Sequence, residues 1–199
     1  MPFNVRPLTP DLLDSWADLF RACASGCFCR YWHFEGTKNE WLARLAFDPA
    51  TNEAEQRERL KEGHPSASGI VALSEGVVVG WMKLAPQEAL GKLRRLPVYR
   101  SELSAKDAAA GVLGIGCFLV HPEHRRQGVA RALLEGAITH ARATGAGAIE
   151  AYPHLRNEPL REEELWMGPY ALLEAAGFVN QGGNSAYPVM RLGLAVAPY

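Results

Sequence analysis

A chain of 199 residues with 21 basic and 22 acidic side chains, a formal net charge of −1, lacks the electrostatic excess of a protein built to hold nucleic acid or a membrane surface. Its composition, 48% apolar and 22% charged, is that of an ordinary globular protein, and its length suffices for one well-buried core. No run approaches the ~20 apolar residues of a membrane helix, the N-terminus Met-Pro-Phe-Asn-Val-Arg has no secretory apolar region, and Cys23, Cys27, Cys29 and Cys117 read as reduced thiols, so a cytoplasmic location is expected.

Phe3 to Pro7 reads as a short first strand. Thr9 or Asp11 is placed to cap a helix carrying Leu12, Leu13, Trp16, Leu19 and Phe20 at helical spacing. Residues 22–36 are irregular and rich in cysteine and aromatics. Helical stretches over 39–46 and 52–62 are dense in Glu, Arg and Lys and read as solvated faces. Ser68 to Ser74 and Val77 to Leu84 flank Glu75-Gly76, a hairpin signal. Residues 85–111 form a long connection without a clear strand, and its Lys92, Arg94, Arg95 and Arg100 read as exposed charge.

The most informative stretch runs from Leu113 to Arg131. An apolar strand, Ile115 to Val120, is stopped by His121-Pro122; a basic turn around Gly128 follows, and Val129 to Thr144 has helical spacing. Strand, basic glycine turn and helix start make an anion site, because the first N–H groups of a helix lack intrahelical partners at the positive end of its dipole. Gly114-x-Gly116 lacks the third glycine of a dinucleotide fingerprint and lies within the strand, and Gly-Lys-Ser/Thr is absent from the sequence. Ala148 to Tyr152 is the next strand, parallel to its predecessor across a right-handed crossover. Residues 153–159 are a polar loop. Glu162 to Ala176 is helical with a break at Gly168-Pro169, and Phe178-Val179 and Ala186 to Leu192 form a last strand pair around a Gln181–Asn184 turn.

Val120-His-Pro122 followed by Arg125-Arg-Gln-Gly128-Val-Ala130, then Ala171-Leu-Leu-Glu-Ala-Ala-Gly177-Phe178, and the opening Val5-Arg-Pro-Leu-Thr9 resemble, in this order, the GNAT superfamily of acetyl-CoA-dependent N-acetyltransferases. The resemblance implies an α/β fold (α+β in some schemes) with a mixed central sheet of about six to seven strands, splayed between strands 4 and 5 and flanked by helices. It implies one N-acetyltransferase domain over 1–199, with 22–62 on the acceptor side and 112–152 as a cofactor-binding βαβ core. Acetyl-CoA is the implied co-substrate, held by Phe118, Leu119, Val120, Arg125, Arg126, Gln127, Gly128, Val129, Ala130 and Arg131. Phe118 N–H is the implied donor to the thioester carbonyl. The acceptor is a small-molecule or peptide amine, with no metal, nucleic acid or membrane involved, and a homodimer through edge strands is an expectation.

Amine acylation in a ternary complex needs proximity, a base for the amine and an acid for the thiolate. The superfamily's usual acid is a tyrosine where this chain has Leu173. Tyr170, three residues earlier, either replaces it or is an ordinary half-buried tyrosine. Tyr152 and His154 follow the splayed strand, and Glu150 reads as a base or a surface charge. Cys117, sharing a face with Ile115 and Leu119, reads as a small buried residue rather than a nucleophile. Cys23, Cys27, Cys29 and His33 depart from zinc-knuckle spacing. Cys27, Tyr31, Trp32 and Glu35 are the candidate acceptor contacts. The same residues also fit a non-catalytic acyl-CoA-binding domain of this fold.

Overall fold

The computed structural model describes residues 3–99, 111–156 and 162–194. Seven strands form one sheet: β1 (Asn4–Pro7), β2 (Gly69–Ser74), β3 (Val77–Pro86), β4 (Val112–Val120), β5 (Ala148–Ala151), β6 (Val179–Asn184) and β7 (Tyr187–Gly193), in the order β1-β2-β3-β4-β5-β7-β6. Among the described residues only the β4–β5 pair is parallel. Among the described residues the α-helices are α1 (Leu13–Ala22), α2 (Lys38–Phe47), α3 (Pro49–Lys61), α4 (Gly91–Arg95), α5 (Val129–Ala143) and α6 (Tyr170–Ala175).

Alternation along the strands divides the core by face. Met82, Ile115, Phe118, Ile149 and Met190 pack against the apolar stripe of α5 (Val129, Leu133, Leu134, Ala137, Ala141) and against Leu173 of α6. On the opposite face Val71, Trp81 and Cys117 meet Trp16, Leu19 and Phe20 of α1. A third cluster on that face joins Trp32, Ala85, Leu90, Leu93, Tyr152, Met167 and Val189. One face is therefore covered by regular helix and the other by α1 together with irregular chain.

Several boundaries differ from the sequence reading for local physical reasons. Neither Thr9 nor Asp11 caps the first helix: the chain enters through a 3₁₀ turn, Pro10–Leu12, while Arg6 bonds the Thr9 hydroxyl (3.5 Å) and the Asp11 carboxylate (3.2 Å). α3 starts at Pro49, which suits a first helical position, and it is not solvated all round. Asn52 and Gln56 are buried and donate to the Gly26 (2.9 Å) and Ala67 (2.8 Å) carbonyls, tying down the irregular segments on either side of α2 and α3. The long connection carries the end of β3 and α4; Arg100 lies outside the described residues. Gln181–Asn184 is strand rather than turn: the reversal falls at Ser185-Ala186, where the Asn184 side chain accepts from the Ala186 and Tyr187 N–H groups (2.9 Å each). The break predicted at Gly168-Pro169 is present, with a 3₁₀ segment over Glu162–Met167 before it.

Candidate active site

β4 is paired with β3 from Val120–Gly80 to Leu113–Pro86, and Gly116 is the extra residue where the register moves between Cys117–Lys83 and Ile115–Leu84. This bulge has a consequence that alternation alone misses. Ile115 joins Phe118 on the α5 face, while Cys117 turns to the α1 face, so Cys117 and Ile115 are not face partners. β5 accompanies β4 only from Val112 to Ile115, opposite Ala148 to Ala151. The sheet thus opens after Ile115, and β4 continues to Val120 with no strand on its β5 side. His121 N–H donates to the Val79 carbonyl (2.9 Å), which fixes the hydrogen-bonding phase. Residues 117 and 119 turn their backbone groups to β3, and Phe118 and Val120 present theirs to the opening.

The opening leads to a helix start. Pro122–His124 forms a 3₁₀ turn with His121 Nδ1 accepting from Glu123 N (3.3 Å), and α5 begins at Val129 without a side-chain cap. Arg126 (φ 60°) and Gly128 (φ 88°) are left-handed, which turns successive N–H groups into a concavity. Nothing lies within 4 Å of a Cβ placed on Gly128, so the concavity is open. The side chains here mostly shape the turn. Arg125 Nε donates to the Val120 carbonyl (3.4 Å), Gln127 Nε2 to the Glu123 carbonyl (2.8 Å), and Val129 is in the core. The sequence candidates from Phe118 to Arg131 thus lie along the strand edge and the turn that leads into α5, with Leu119 and Val129 packed into the two cores.

On the face opposite α5, two of the proposed polar residues, Glu150 and Tyr152, meet. Glu150 is 3% exposed, and its carboxylate accepts from Arg191 (2.8 Å), from the Tyr152 hydroxyl (3.0 Å) and from Gln87. Gln87 also donates to the Tyr152 oxygen (3.1 Å). Glu150 is thus no surface charge. The Tyr152 phenol is fully buried, and burial together with the Glu150 charge holds its pKa well above the usual value, outweighing the Gln87 hydrogen bond. Tyr170 is different: it starts α6, half-buried against the cluster that contains Phe118. Leu173 is fully buried in that cluster. His154 lies flat on Tyr187 (4.7 Å, 0°) and accepts from Arg156 (3.1 Å).

The two glycines 114 and 116 have a packing reason. A Cβ on Gly114 would lie 2.6 Å from Leu90, and one on Gly116 2.9 Å from Trp32 and 3.1 Å from Lys83. The irregular chain lies directly on β4 at these two points, and Trp32 Nε1 donates to the Gly116 carbonyl (2.7 Å). Tyr31 packs edge-on to Trp32 (4.9 Å, 61°), and Trp166 stacks on Trp32 (5.5 Å, 25°). Lys92, read from sequence as exposed charge, sits over the rings of Tyr31 (4.5 Å) and Phe34 (5.3 Å). Glu35 is exposed beside this group. Cys27 is separated from it: its thiol meets Ser25 (3.3 Å) and packs with the α1 cluster.

The cysteines and His33 are dispersed into different roles, and no cluster of three metal-ligating side chains occurs among the described residues. Cys23 donates to the Val120 carbonyl (3.5 Å). The free thiols of Cys29 and Cys117 interact beside Lys83, a fully buried lysine whose ammonium donates to the Ser66 carbonyl. Burial would raise the Cys29 pKa, but the Cys117 bond, the Lys83 charge, Trp81 and the Arg30 charge bring it down to about 7. Burial lowers Lys83 to about 8, against the pull of Cys29. Sequence reasoning missed Lys83, Gln87, Trp166 and Arg191. Only Lys83 carried a signal there, a lone charge in the apolar run Val77 to Leu84.

With this geometry in view, the comparisons are specific. The chain matches the family described as the Acetyltransferase (GNAT) family over residues 13–162, and it belongs to that family; its class of chemistry is acetyl transfer. The fold is similar to PaiA N-acetyltransferase of Thermoplasma acidophilum, solved with coenzyme A (11% identity, 98% of this chain and 100% of that one, TM-score 0.56). It is similar to a GNAT-family acetyltransferase of Streptococcus pneumoniae (13%, 97% and 99%, TM-score 0.58). It also resembles a phosphinothricin acetyltransferase of Sinorhizobium meliloti in complex with acetyl-CoA (18%, 98% and 89%, TM-score 0.50). No curated protein sequence matches the chain.

Proposed function

We propose that the protein is an acetyl-CoA-dependent N-acetyltransferase working by direct attack of an amine in a ternary complex. The observation that carries this reading is the edge of β4 at Phe118 and Val120, beyond the end of its pairing with β5, which runs into the open, uncapped start of α5. These residues fit coenzyme A, whose extended, amide-bearing arm matches a strand edge and whose pyrophosphate matches backbone N–H groups at a helix start. Phe118 N–H then faces the thioester oxygen, where charge gathers during attack. The Arg126 and Arg131 side chains add positive charge at the phosphate end.

In the reaction the acceptor nitrogen forms a C–N bond to the acetyl carbon, the C–S bond breaks, and one proton passes from nitrogen to the departing sulfur. Tyr170 is the proposed relay, giving its hydroxyl proton to the departing sulfur and taking up the proton that the nitrogen sheds, because it packs against the Phe118 cluster while Tyr152 is enclosed and bonded to Glu150 and Gln87. Glu150 and Tyr152 act as positioning residues: they brace the end of β5 where the sheet opens. Titration of acetyl-CoA into the protein by calorimetry, followed by thiol release over an amine panel, tests the reading. Binding with amine-dependent CoA release supports it, and absence of binding by folded protein overturns it.

A second reading, a non-catalytic acyl-CoA-binding domain, is favoured by one observation: the position of the usual acid is Leu173, fully buried in the core. Binding of acetyl-CoA without CoA release for any amine would select it.

A further inference from the structure

An aromatic wall built from segments far apart in sequence stands beside the β4 bulge. Trp32 is 4% exposed and fixed by its bond to the bulge carbonyl of Gly116, two residues before Phe118. Trp166 stacks on Trp32, meets the edge of Tyr31 (6.2 Å, 83°), and is 39% exposed. Two residues beyond it, Gly168 approaches the Phe118 ring so closely that a Cβ there would lie 2.7 Å away. The Trp32–Trp166 stack therefore starts at the β4 bulge and ends in solvent, and the segment that carries Trp166 also touches Phe118. A large aromatic ring left part-exposed at the mouth of a site is an incomplete stack.

The charge at this mouth narrows what completes it. The faces of Tyr31 and Phe34, which would attract a cationic group, are occupied by the protein's own Lys92. A second cationic group on an acceptor would meet that ammonium, whereas a flat ring on Trp166 would not. We infer that the acceptor is a primary amine carried on an aromatic body, its ring stacked on Trp166 and its amine directed past Trp32 to the β4 bulge. This inference rests on the acetyl-transfer reading above.

The test is CoA release by the full-length protein with 2-phenylethylamine, n-butylamine and spermidine under identical conditions. The expected result is a kcat/KM for 2-phenylethylamine at least fivefold above both other amines, with Trp166→Ala erasing most of that advantage mainly through KM. Trp166→Phe, which keeps a ring, should retain it, and this separates stacking from a general loss of structure. Equal or faster turnover of butylamine or spermidine overturns the inference while leaving the transfer reading intact. An equal loss for all three amines in Trp166→Ala, unrepaired in Trp166→Phe, overturns it too. Failure of every amine to release CoA overturns the transfer reading itself, and this inference with it.

Discussion

The proposed pyrophosphate site can be tested by changing charge at constant shape at Gly128. This residue is left-handed (φ 88°), and the space where a Cβ would sit is empty within 4 Å. Asn and Asp are nearly isosteric, and both tolerate the left-handed region better than other non-glycine residues, so the roughly 1–2 kcal/mol of backbone strain is common to Gly128→Asn and Gly128→Asp. The difference between the two variants is then the charge. A unit charge pair at about 4 Å is worth about 1 kcal/mol in bulk water and about 4 kcal/mol at a surface-like effective dielectric. The concavity is open to solvent, which favours the lower part of that range. About 1–3 kcal/mol corresponds to an acetyl-CoA Kd about 5- to 150-fold weaker in the Asp variant than in the Asn variant. The gap should shrink as salt is raised from about 0.01 to 1 M, over which the screening length falls from about 30 to 3 Å. Calorimetric titration of both variants at two salt concentrations reads this directly. Equal Kd values at low salt would show that the phosphates lie elsewhere.

Two further predictions concern the face opposite α5. Arg191→Met leaves the buried Glu150 carboxylate without its cation, which should lower stability by about 3–5 kcal/mol. Adding Glu150→Gln should restore much of the loss, measured by urea unfolding; equal stability of the single variant and wild type would show that the pair is not desolvated as the structure has it. The second concerns pH. Cys29 titrates at about 7 in the folded protein against 9.0 ordinarily, and Lys83 at about 8 against 10.5, so between those limits the unfolded chain holds protons the folded chain has shed. Stability therefore rises with pH from about 7 to 9, by at most about 1.4 kcal/mol per pH unit for each proton. Cys117, whose pKa is raised by its bond to Cys29 and by burial, acts in the opposite sense above 9. Urea midpoints under reducing conditions at pH 7 and 9 check the sign. Cys29→Ala should flatten the slope, and a midpoint that falls over this interval refutes the arrangement.

The strand, turn and helix from Ile115 to Thr144 were legible because each carries a local signal: an apolar run, a proline stop, a glycine in a basic turn, and a helical stripe. The glycines at 114 and 116 show where local reading ends. Their spacing could be tested against nucleotide motifs and rejected, but the reason for their presence is long-range, the approach of Leu90 and Trp32 to the sheet. The face of Cys117 relative to Ile115 was misread for a related reason: a bulge at Gly116 shifts the alternation by one residue, and a glycine within a strand, the local sign of a bulge, was weighed only against nucleotide motifs. Glu150 was left open between a base and a surface charge because its partner Arg191 is 41 positions away.

These misreadings fall on one side of the sheet. The α5 face repeats a simple pattern of strand and amphipathic helix, and local propensity agrees there with the final packing. The other face is assembled from pieces that carry little regular structure, the loop with Cys29 and Trp32, the segment with Trp166, and α4. Side-chain bonds across long separations, such as Trp32 to Gly116 and Asn52 to Gly26, hold them on the sheet. A cofactor common to a family can be held by backbone in a repeated motif, whereas an acceptor must be told apart by side chains. The physical division of the molecule runs the same way: the turn before α5 is written into consecutive residues, and the aromatic group of Tyr31, Trp32 and Trp166 exists only once the fold has formed.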